Sequence, residues 1–271
     1  MSIISIIKAE AKIMNRYSIR QYVELFHLLF LYQLSRKLDK RLYALKGGCN
    51  MRFFFNSPRY SDDIDLDVES ITVSVLRDRI NSILNSKPFR DILEVRNMEI
   101  EHITEHKQTE TTQRWKLGLT VPQIEKPLPT KIEFSRRGLE SPIEFESVSP
   151  EIIRMYELSP ILANHYSAEA TCRQKIKALL SRSSTQARDI FDLYHLLASK
   201  IDKLDSPEGL RSHLDKVKDN IFSIDFLVFK SQVISYLEFE DQQRFESEEI
   251  WDDIRLHVVE SITRAIENET C

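Results

Sequence analysis

The chain has 271 residues, of which 42% are hydrophobic and 30% charged, with a formal net charge of -4 at pH 7. This composition is typical of a folded globular protein with a sizeable core, and it excludes a disordered or fibrous chain. The weak negative charge argues against nucleic-acid binding over the whole surface, although a local basic patch remains compatible with it.

Cysteine usage and hydropathy predict a cytoplasmic protein. Cys49, Cys172 and Cys271 show no CxxC spacing, so we expect neither a zinc site nor a disulfide framework. The apolar start at residues 3–7 is interrupted by charges from Lys8 onward, before it reaches the length of a signal sequence or a membrane span. We therefore expect a reducing compartment, no export signal and no membrane helix.

The first third of the chain predicts helix, strand, turn, helix and strand in that order. Apolar residues recur at helical intervals from Tyr17 to Leu38, which indicates a buried amphipathic helix. The run from Leu42 to Leu45 is predicted to be a strand, followed by a glycine pair and a brief helix from Cys49 to Phe55. From Asp63 to Val68 acidic and apolar residues alternate, as in a strand with one polar and one buried face.

The rest of the chain divides into a region of predicted strands and a region of predicted helices. Helical spacing over 71–84 is followed by alternation from about residue 93 to residue 136, with a proline-marked, hairpin-like connection between the last two strands. Beyond Pro150 we expect no strand, and the predicted helices cover 151–158, 168–181, 186–198, 207–217, 224–237 and 248–266. The fold class predicted is α+β, with a mixed-sheet domain at 1–150 and a helical bundle at 151–271.

The segment at residues 61–67, Ser-Asp-Asp-Ile-Asp-Leu-Asp, carries the strongest chemical signal. Residues two apart on a strand share a face, so Asp63 and Asp65 would project side by side and could bind one divalent ion or a pair of ions. Magnesium or manganese held by such oxygen ligands serves phosphoryl and nucleotidyl transfer. The alternative is a solvated edge strand whose charges oppose aggregation.

The adjacent pair Gly47 and Gly48 stands out because the chain has only five glycines. The pair follows a predicted strand and opens a predicted helix. Free backbone N–H groups and a partial positive charge at that position can receive a triphosphate. A generic helix-opening turn is the alternative.

Together these features resemble the AbiEii/AbiGii toxin family of nucleotidyltransferases, a branch of the polymerase-beta-like superfamily. The residues that carry the resemblance are Lys46-Gly47-Gly48 and Arg59-Tyr60-Ser61-Asp62-Asp63-Ile64-Asp65. The resemblance implies that Asp63 and Asp65 are metal ligands, and that Glu133, in Lys-Ile-Glu-Phe at 131–134, is the third ligand. It implies nucleotide binding by Lys46, Gly47, Gly48, Cys49 and Ser61.

Cys49 departs from the family pattern, because many relatives have Thr or Ser after the glycine pair. A thiol is a poor substitute for a hydroxyl against phosphate oxygens. Binding would then rely on backbone N–H groups, or nucleotide affinity would be weaker.

Two helical motifs extend the resemblance into the C-terminal half. Residues 173–179, Arg-Gln-Lys-Ile-Lys-Ala-Leu, resemble the helix that supplies a lysine to the nucleotide, and residues 188–194 resemble the adjacent RDxxDL helix. The implied catalytic residues here are Lys175, which would meet the triphosphate, and Asp189, which would orient Lys175 or support the site. Lys177 is the competing lysine. The alternative for Lys175 is a solvated helix charge, and the alternative for Asp189 is an N-terminal helix charge favoured by the dipole.

The resemblance implies transfer of a nucleoside monophosphate from a triphosphate to an acceptor such as transfer RNA, with release of pyrophosphate. It also implies the toxin of a toxin-antitoxin or phage-defence module, with a cognate antitoxin and an active site in the cleft between the two domains. Two alternatives stay open. One is a nucleotide- or nucleic-acid-binding regulator that has lost catalysis, which Cys49 favours; the other is a metal-dependent nuclease or phosphohydrolase.

Several other features are given a structural interpretation. His102 and His106 lie in a strand-like segment, so a helical zinc motif is not expected. The aromatic run at 53–55 is interpreted as core packing. Arg52 and Arg59 flank the motifs and could meet phosphates or be solvated charges. A basic strip for a nucleic-acid acceptor would consist of Arg114, Lys116, Arg136 and Arg137, with ordinary surface charge as the alternative.

Overall fold

The computed structural model describes residues 17–182, 184–199 and 210–268. The apolar start at residues 3–7, Cys271 and the first residues of the helix predicted over 207–217 lie outside these ranges. The described residues divide into two compact units, one comprising 17–43 and 62–138 and the other 44–61 and the described residues from 139 onward. The predicted domain boundary at residue 150 stays a prediction.

Seven strands and eleven α-helices occur in the described ranges. The strands are β1 (Tyr43–Lys46), β2 (Asp63–Val68), β3 (Glu99–Gln108), β4 (Thr112–Thr120), β5 (Leu128–Ser135), β6 (Ile143–Ser147) and β7 (Leu162–Tyr166). The helices are α1 (Ile19–Lys37), α2 (Gly47–Phe55), α3 (Val73–Leu84), α4 (Lys87–Val95), α5 (Pro150–Met155), α6 (Ala168–Ser181), α7 (Ala187–Ser199), α8 (Leu214–Phe222), α9 (Phe226–Gln232), α10 (Phe239–Phe245) and α11 (Glu248–Asn268).

The first unit is a mixed sheet covered by helices. Its strands follow the order β3-β4-β5-β2, in which β2 and β5 are parallel and the other neighbours antiparallel. Helix α1 begins at a capping box in which Ser18 and Gln21 bond each other's backbone N–H. The core includes the ring of Phe26 against that of Phe89 and the edge-to-face pair Trp115 and Phe134.

The second unit combines a smaller mixed sheet with a helical core. Strand β7 pairs in parallel with β1 and antiparallel with β6. The helices from α6 onward bury a large apolar cluster, in which Phe229 stacks on Trp251 with ring centroids 4.2 Å apart. Among the described helices of the whole chain, none has the length and apolarity that crossing a bilayer requires.

The predicted fold class is confirmed, since mixed-sheet strands, flanking helices and a C-terminal group of helices are all present. The expectation that no strand follows Pro150 is wrong, because β7 lies at Leu162–Tyr166. Four of its five residues are buried, including Asn164 and His165, so the strand lacks the apolar alternation that would have revealed it.

The prediction of strands from about residue 93 onward is also wrong for the first residues of that range. Residues up to Val95 belong to α4, whose buried side chains are Phe89 and Leu93. These two lie four residues apart and therefore share a helical face. Alternation over so few residues does not distinguish a strand from the last turn of an amphipathic helix.

Candidate active site

The acidic site, which consists of Asp63, Asp65 and Glu133, lies on β2 and β5 of the first unit. The two strands are parallel and in register, with Asp65 opposite Glu133 and Asp63 opposite Lys131. Ile64 is fully buried while the aspartates on either side are partly exposed, as the alternation predicts. The three carboxylates therefore occupy one face of the sheet on adjacent strands, and their catalytic role stays a prediction.

Two cations compensate the acidic site. The Nζ of Lys131 lies 2.9 Å from Asp63 Oδ2 and 3.6 Å from Glu133 Oε2. From the next strand, Arg114 donates through Nε to Glu133 Oε2 at 2.6 Å. The sequence interpretation assigned no role to Lys131. Its position two residues before Glu133 on the same strand, and hence on the same face, is the signal that could have revealed it.

The surroundings of Glu133 favour its ionised form. Burial by itself would raise the pKa of Glu133, but the hydrogen bond from Arg114 and the charge of Lys131 outweigh it and lower that pKa. Burial likewise opposes the charge of Lys131, yet the hydrogen bond to Asp63 raises the pKa of its ammonium. Ionised carboxylates are hard oxygen donors, which suits Mg²⁺ or Mn²⁺.

The glycine turn, Gly47 and Gly48, opens α2 in the second unit. Gly47 has a φ of 69°, a left-handed conformation that glycine adopts without the strain of a side chain. A Cβ at Gly48 would lie 2.7 Å from Ser61 Oγ and 3.3 Å from Arg59 Nη2. The preceding Lys46 makes no side-chain capping bond to the helix. Glycine is thus favoured at position 47 by the backbone conformation and at position 48 by the close approach of the Ser61 side chain.

Gly47→Ala is expected to weaken nucleoside triphosphate binding and to lower the free energy of unfolding by about 1–2 kcal/mol, the cost of a left-handed residue with a Cβ. Gly138→Ala is the matched control, because Gly138 also has a positive φ of 95° and a Cβ there would meet nothing within 4 Å. Calorimetric titration with a triphosphate and urea unfolding measure both effects. Equal nucleotide affinities in the two variants would contradict a binding role for the turn.

An ionic network in the second unit consists of Arg59, Lys175, Arg182, Asp189 and Asp192, of which all but Arg182 are buried. Lys175 donates through Nζ to Asp189 Oδ1 at 2.9 Å and to Asp192 Oδ2 at 2.5 Å. Arg59 binds Asp192 through Nη2 at 2.9 Å, and Arg182 binds Asp189. Two carboxylates thus hold three cations, which leaves a net positive charge in the network.

The two candidate lysines of α6 differ in their surroundings, because only Lys175 belongs to the ionic network. Lys175 is 8% exposed, whereas Lys177 is at the surface and pairs with Glu140 Oε1 at 3.1 Å. Burial opposes the charge of Lys175, but the charges of Asp192 and Asp189 outweigh it and raise its pKa. Contact between Lys175 and a triphosphate stays a prediction. Asp189 does orient Lys175 through a hydrogen bond. Asp192, to which the sequence interpretation gave no role, accepts a second hydrogen bond from Lys175.

Arg52 and Arg59, the two arginines that flank the motifs, make different contacts. Arg59 is 4% exposed and enters the ionic network, so it is not a solvated charge. Arg52 donates to the carbonyl of Ser57 and lies 4.4 Å from the ring centre of Tyr60. The Nη2 atom of Arg59 is also one of the three atoms nearest to a Cβ placed at Gly48.

The histidines, the aromatic run and the basic strip considered in the sequence are placed as follows by the structure. His102 and His106 lie on β3, so they share no helical face. The side chains of Phe53 and Phe55 are buried, which agrees with core packing. In the predicted basic strip, Arg136 donates to the carbonyl of Ile71 and to Gln113, and Arg114 is paired with Glu133.

These features define the class of the protein. The mixed sheet with flanking helices and further C-terminal helices is the fold expected from the resemblance to nucleotidyltransferases. The family model described as "Nucleotidyl transferase AbiEii toxin, Type IV TA system" matches residues 29–265. The chain therefore belongs to the AbiEii family of toxin nucleotidyltransferases. No curated protein sequence matches the chain.

Solved structures support the same fold. The Helicobacter pylori protein JHP933 is 15% identical, with a TM-score of 0.55 over 91% of this chain and 94% of that one. A Helicobacter pylori structure provisionally assigned as a nucleotidyltransferase is 16% identical, with a TM-score of 0.58 over 89% and 95%. MenT4, a nucleotidyltransferase toxin from Mycobacterium tuberculosis, is 19% identical, with a TM-score of 0.56 over 89% and 81%.

Proposed function

We propose that the chain transfers a nucleoside monophosphate from a triphosphate to an RNA acceptor such as transfer RNA, with release of pyrophosphate, in a reaction that depends on Mg²⁺ or Mn²⁺. The observation that carries this proposal is the in-register pairing of Asp65 with Glu133, which places both on the same sheet face as Asp63. We further propose that the protein acts in the cytoplasm as the toxin of a toxin-antitoxin or phage-defence module with a cognate antitoxin.

The acidic site supplies the metal-binding half of the mechanism. Asp63, Asp65 and Glu133 would hold the divalent ion, which when bound activates the attacking oxygen and stabilises the leaving one. Arg114 keeps Glu133 ionised through a hydrogen bond. Lys131 pairs with Asp63.

The glycine turn and the ionic network supply the phosphate-binding half. Backbone N–H groups at Gly47 and Gly48 seat phosphate oxygens at the start of α2. Lys175, fixed by two aspartates, contributes positive charge as pyrophosphate leaves. Ser61, whose Oγ would be nearest to a Cβ at Gly48, precedes Asp63 by two residues in the sequence.

A second candidate is a nucleotide-binding regulator with little catalysis. The ion pairs of Lys131 favour it, because a resident ammonium competes with a metal ion for Asp63 and Glu133. This candidate predicts that the protein binds triphosphates without releasing pyrophosphate.

The proposal is tested by incubating the protein with each labelled triphosphate, Mg²⁺ and total RNA. We expect label in a discrete RNA band with matching pyrophosphate release, and neither in the presence of EDTA. Triphosphate binding without pyrophosphate would favour the regulator. Label on the protein itself would point to self-modification, and release of nucleoside products with water as the only acceptor would point to a hydrolase.

Lys131→Met is expected to raise Mg²⁺ affinity by about three- to tenfold, because it removes a cation that neighbours two carboxylates. Lys116→Met is the matched control, since Lys116 is the exposed cross-strand neighbour of Lys131 and contacts no carboxylate of the acidic site in the ion pairs described. Titration with Mn²⁺ or Mg²⁺ measures the change. Equal effects of the two substitutions would mean that Lys131 does not compete with the ion.

A further inference from the structure

A second group of metal-ligating side chains lies on β6 and β7 of the second unit. Glu144 and Glu146 are two residues apart on β6, and His165 on β7 is the register partner of Glu144. One ligand atom from each residue lies within 4.8 Å of the other two. None of the three belongs to the acidic site.

The spacing is that of ligands around one ion and not that of hydrogen bonds. His165 Nε2 lies 3.9 Å from a carboxylate oxygen of Glu144 and 3.8 Å from one of Glu146. Two ligands that each stand about 2.1 Å from a shared ion are separated by roughly 3–4 Å.

The tautomer of His165 is fixed so that Nε2 is available as a ligand. Its Nδ1 lies 3.0 Å from Asn50 Oδ1 and 3.0 Å from the carbonyl oxygen of Tyr166. Asn50 uses its amide nitrogen as a donor to Tyr166 and Thr171, so its oxygen is the acceptor. Nδ1 therefore carries the proton, and Nε2 presents a lone pair.

The lone pair of Nε2 is buried and has no hydrogen-bond partner. His165 is fully buried, and its ring stacks on Phe54 with centroids 3.7 Å apart, which prevents reorientation. A lone pair that faces two carboxylates is unfavourable unless a cation lies between them.

We propose that Glu144, Glu146 and His165 bind a divalent transition-metal ion of the Zn²⁺ or Mn²⁺ class. One neutral imidazole and two carboxylates suit such ions. The glutamate side chains are 44% and 60% exposed, which gives the ion a path from solvent. Since Asn50 lies on α2 three residues after Gly47, the bound ion would also anchor the helix that opens at the glycine turn.

Zinc binding by the full chain tests this site, with Asp65→Asn as the background that weakens the acidic site. After equilibrium dialysis against Zn²⁺, we expect the double substitution Glu144→Gln and Glu146→Gln to remove about one equivalent of bound metal or to weaken it at least tenfold. The Zn²⁺-dependent rise in Tm is lost with it. Glu151→Gln, an exposed glutamate of the same unit, is the control and retains both.

Equal zinc content in the double variant and the Glu151→Gln control would overturn the proposal. So would the absence of bound zinc in the Asp65→Asn background. If the double variant does not fold, Glu146→Gln alone provides the comparison, because that side chain is the more exposed of the two. A failure of this test leaves nucleotidyl transfer unaffected, because the readouts are metal content and Tm.

Discussion

Asp65→Ala is expected to lower nucleotidyl transfer by at least about 10³-fold, because a lost metal ligand removes several kcal/mol of transition-state stabilisation. Asp65 is partly exposed and stands opposite Glu133, where removal of one carboxylate also relieves repulsion between like charges. The fold should therefore survive. Incorporation of label from a triphosphate into RNA measures activity, and circular dichroism with urea unfolding verifies the fold.

Asp62→Asn is the matched control for Asp65. Asp62 carries the same charge, is exposed and precedes β2, and its backbone carbonyl accepts a hydrogen bond from Thr130 that the substitution retains. We expect activity within a few-fold of the original chain, as for ordinary surface substitutions. Retention of transfer by Asp65→Ala, or an equal loss in both variants, would refute the assignment of the acidic site.

Asp192→Asn is expected to lower the free energy of unfolding by about 3–5 kcal/mol, the effect of breaking a buried ion pair and leaving its partners uncompensated. Asp192 is fully buried and bonds both Arg59 and Lys175. Without its charge, three cations share the single carboxylate of Asp189. Urea unfolding measures the loss, and the exposed Asp219→Asn should change stability by no more than about 0.5 kcal/mol.

The contribution of Asp192 to the free energy of unfolding should decrease at acidic pH. Burial alone would raise the pKa of Asp192, but the charges of Arg59 and Lys175 outweigh it and lower that pKa below 3.8. A depressed folded-state pKa stabilises the protein above the unfolded value, and this contribution is lost as the pH falls through the folded value. The difference between the original chain and Asp192→Asn should thus be constant near neutral pH and shrink below pH 3.8. A difference that grew on acidification would contradict the network.

Sequence patterns were sufficient to predict features that depend only on neighbouring residues in the chain. Helix α6 begins and ends at the predicted residues, Ala168 and Ser181, because its N-cap Ser167 directly precedes it and its apolar spacing lies within the segment itself. The shared face of Asp63 and Asp65 follows from the two-residue period of a strand. A backbone requirement for glycine at position 47 was likewise expected from composition, and the positive φ agrees with it.

Other features depended on partners far away in the chain. Strand β7 was missed because its burial is made possible by polar partners, among them Asn50, that lie more than a hundred positions away. The choice between Lys175 and Lys177 could not be made from spacing, since both lie on one helix two residues apart. The structure shows that Lys175 is the buried lysine and pairs with the aspartates of α7, whereas its role towards a nucleotide stays a prediction.

The sequence by itself determined which residues are acidic, which face of each strand they occupy and where the backbone needs glycine. Only the tertiary structure decided that β5 lies parallel to β2 with Glu133 opposite Asp65, and that Lys131 neutralises Asp63. The physical reason is that side-chain periodicity specifies the face of a strand, whereas its neighbour and register are set by packing and by hydrogen bonds with distant segments.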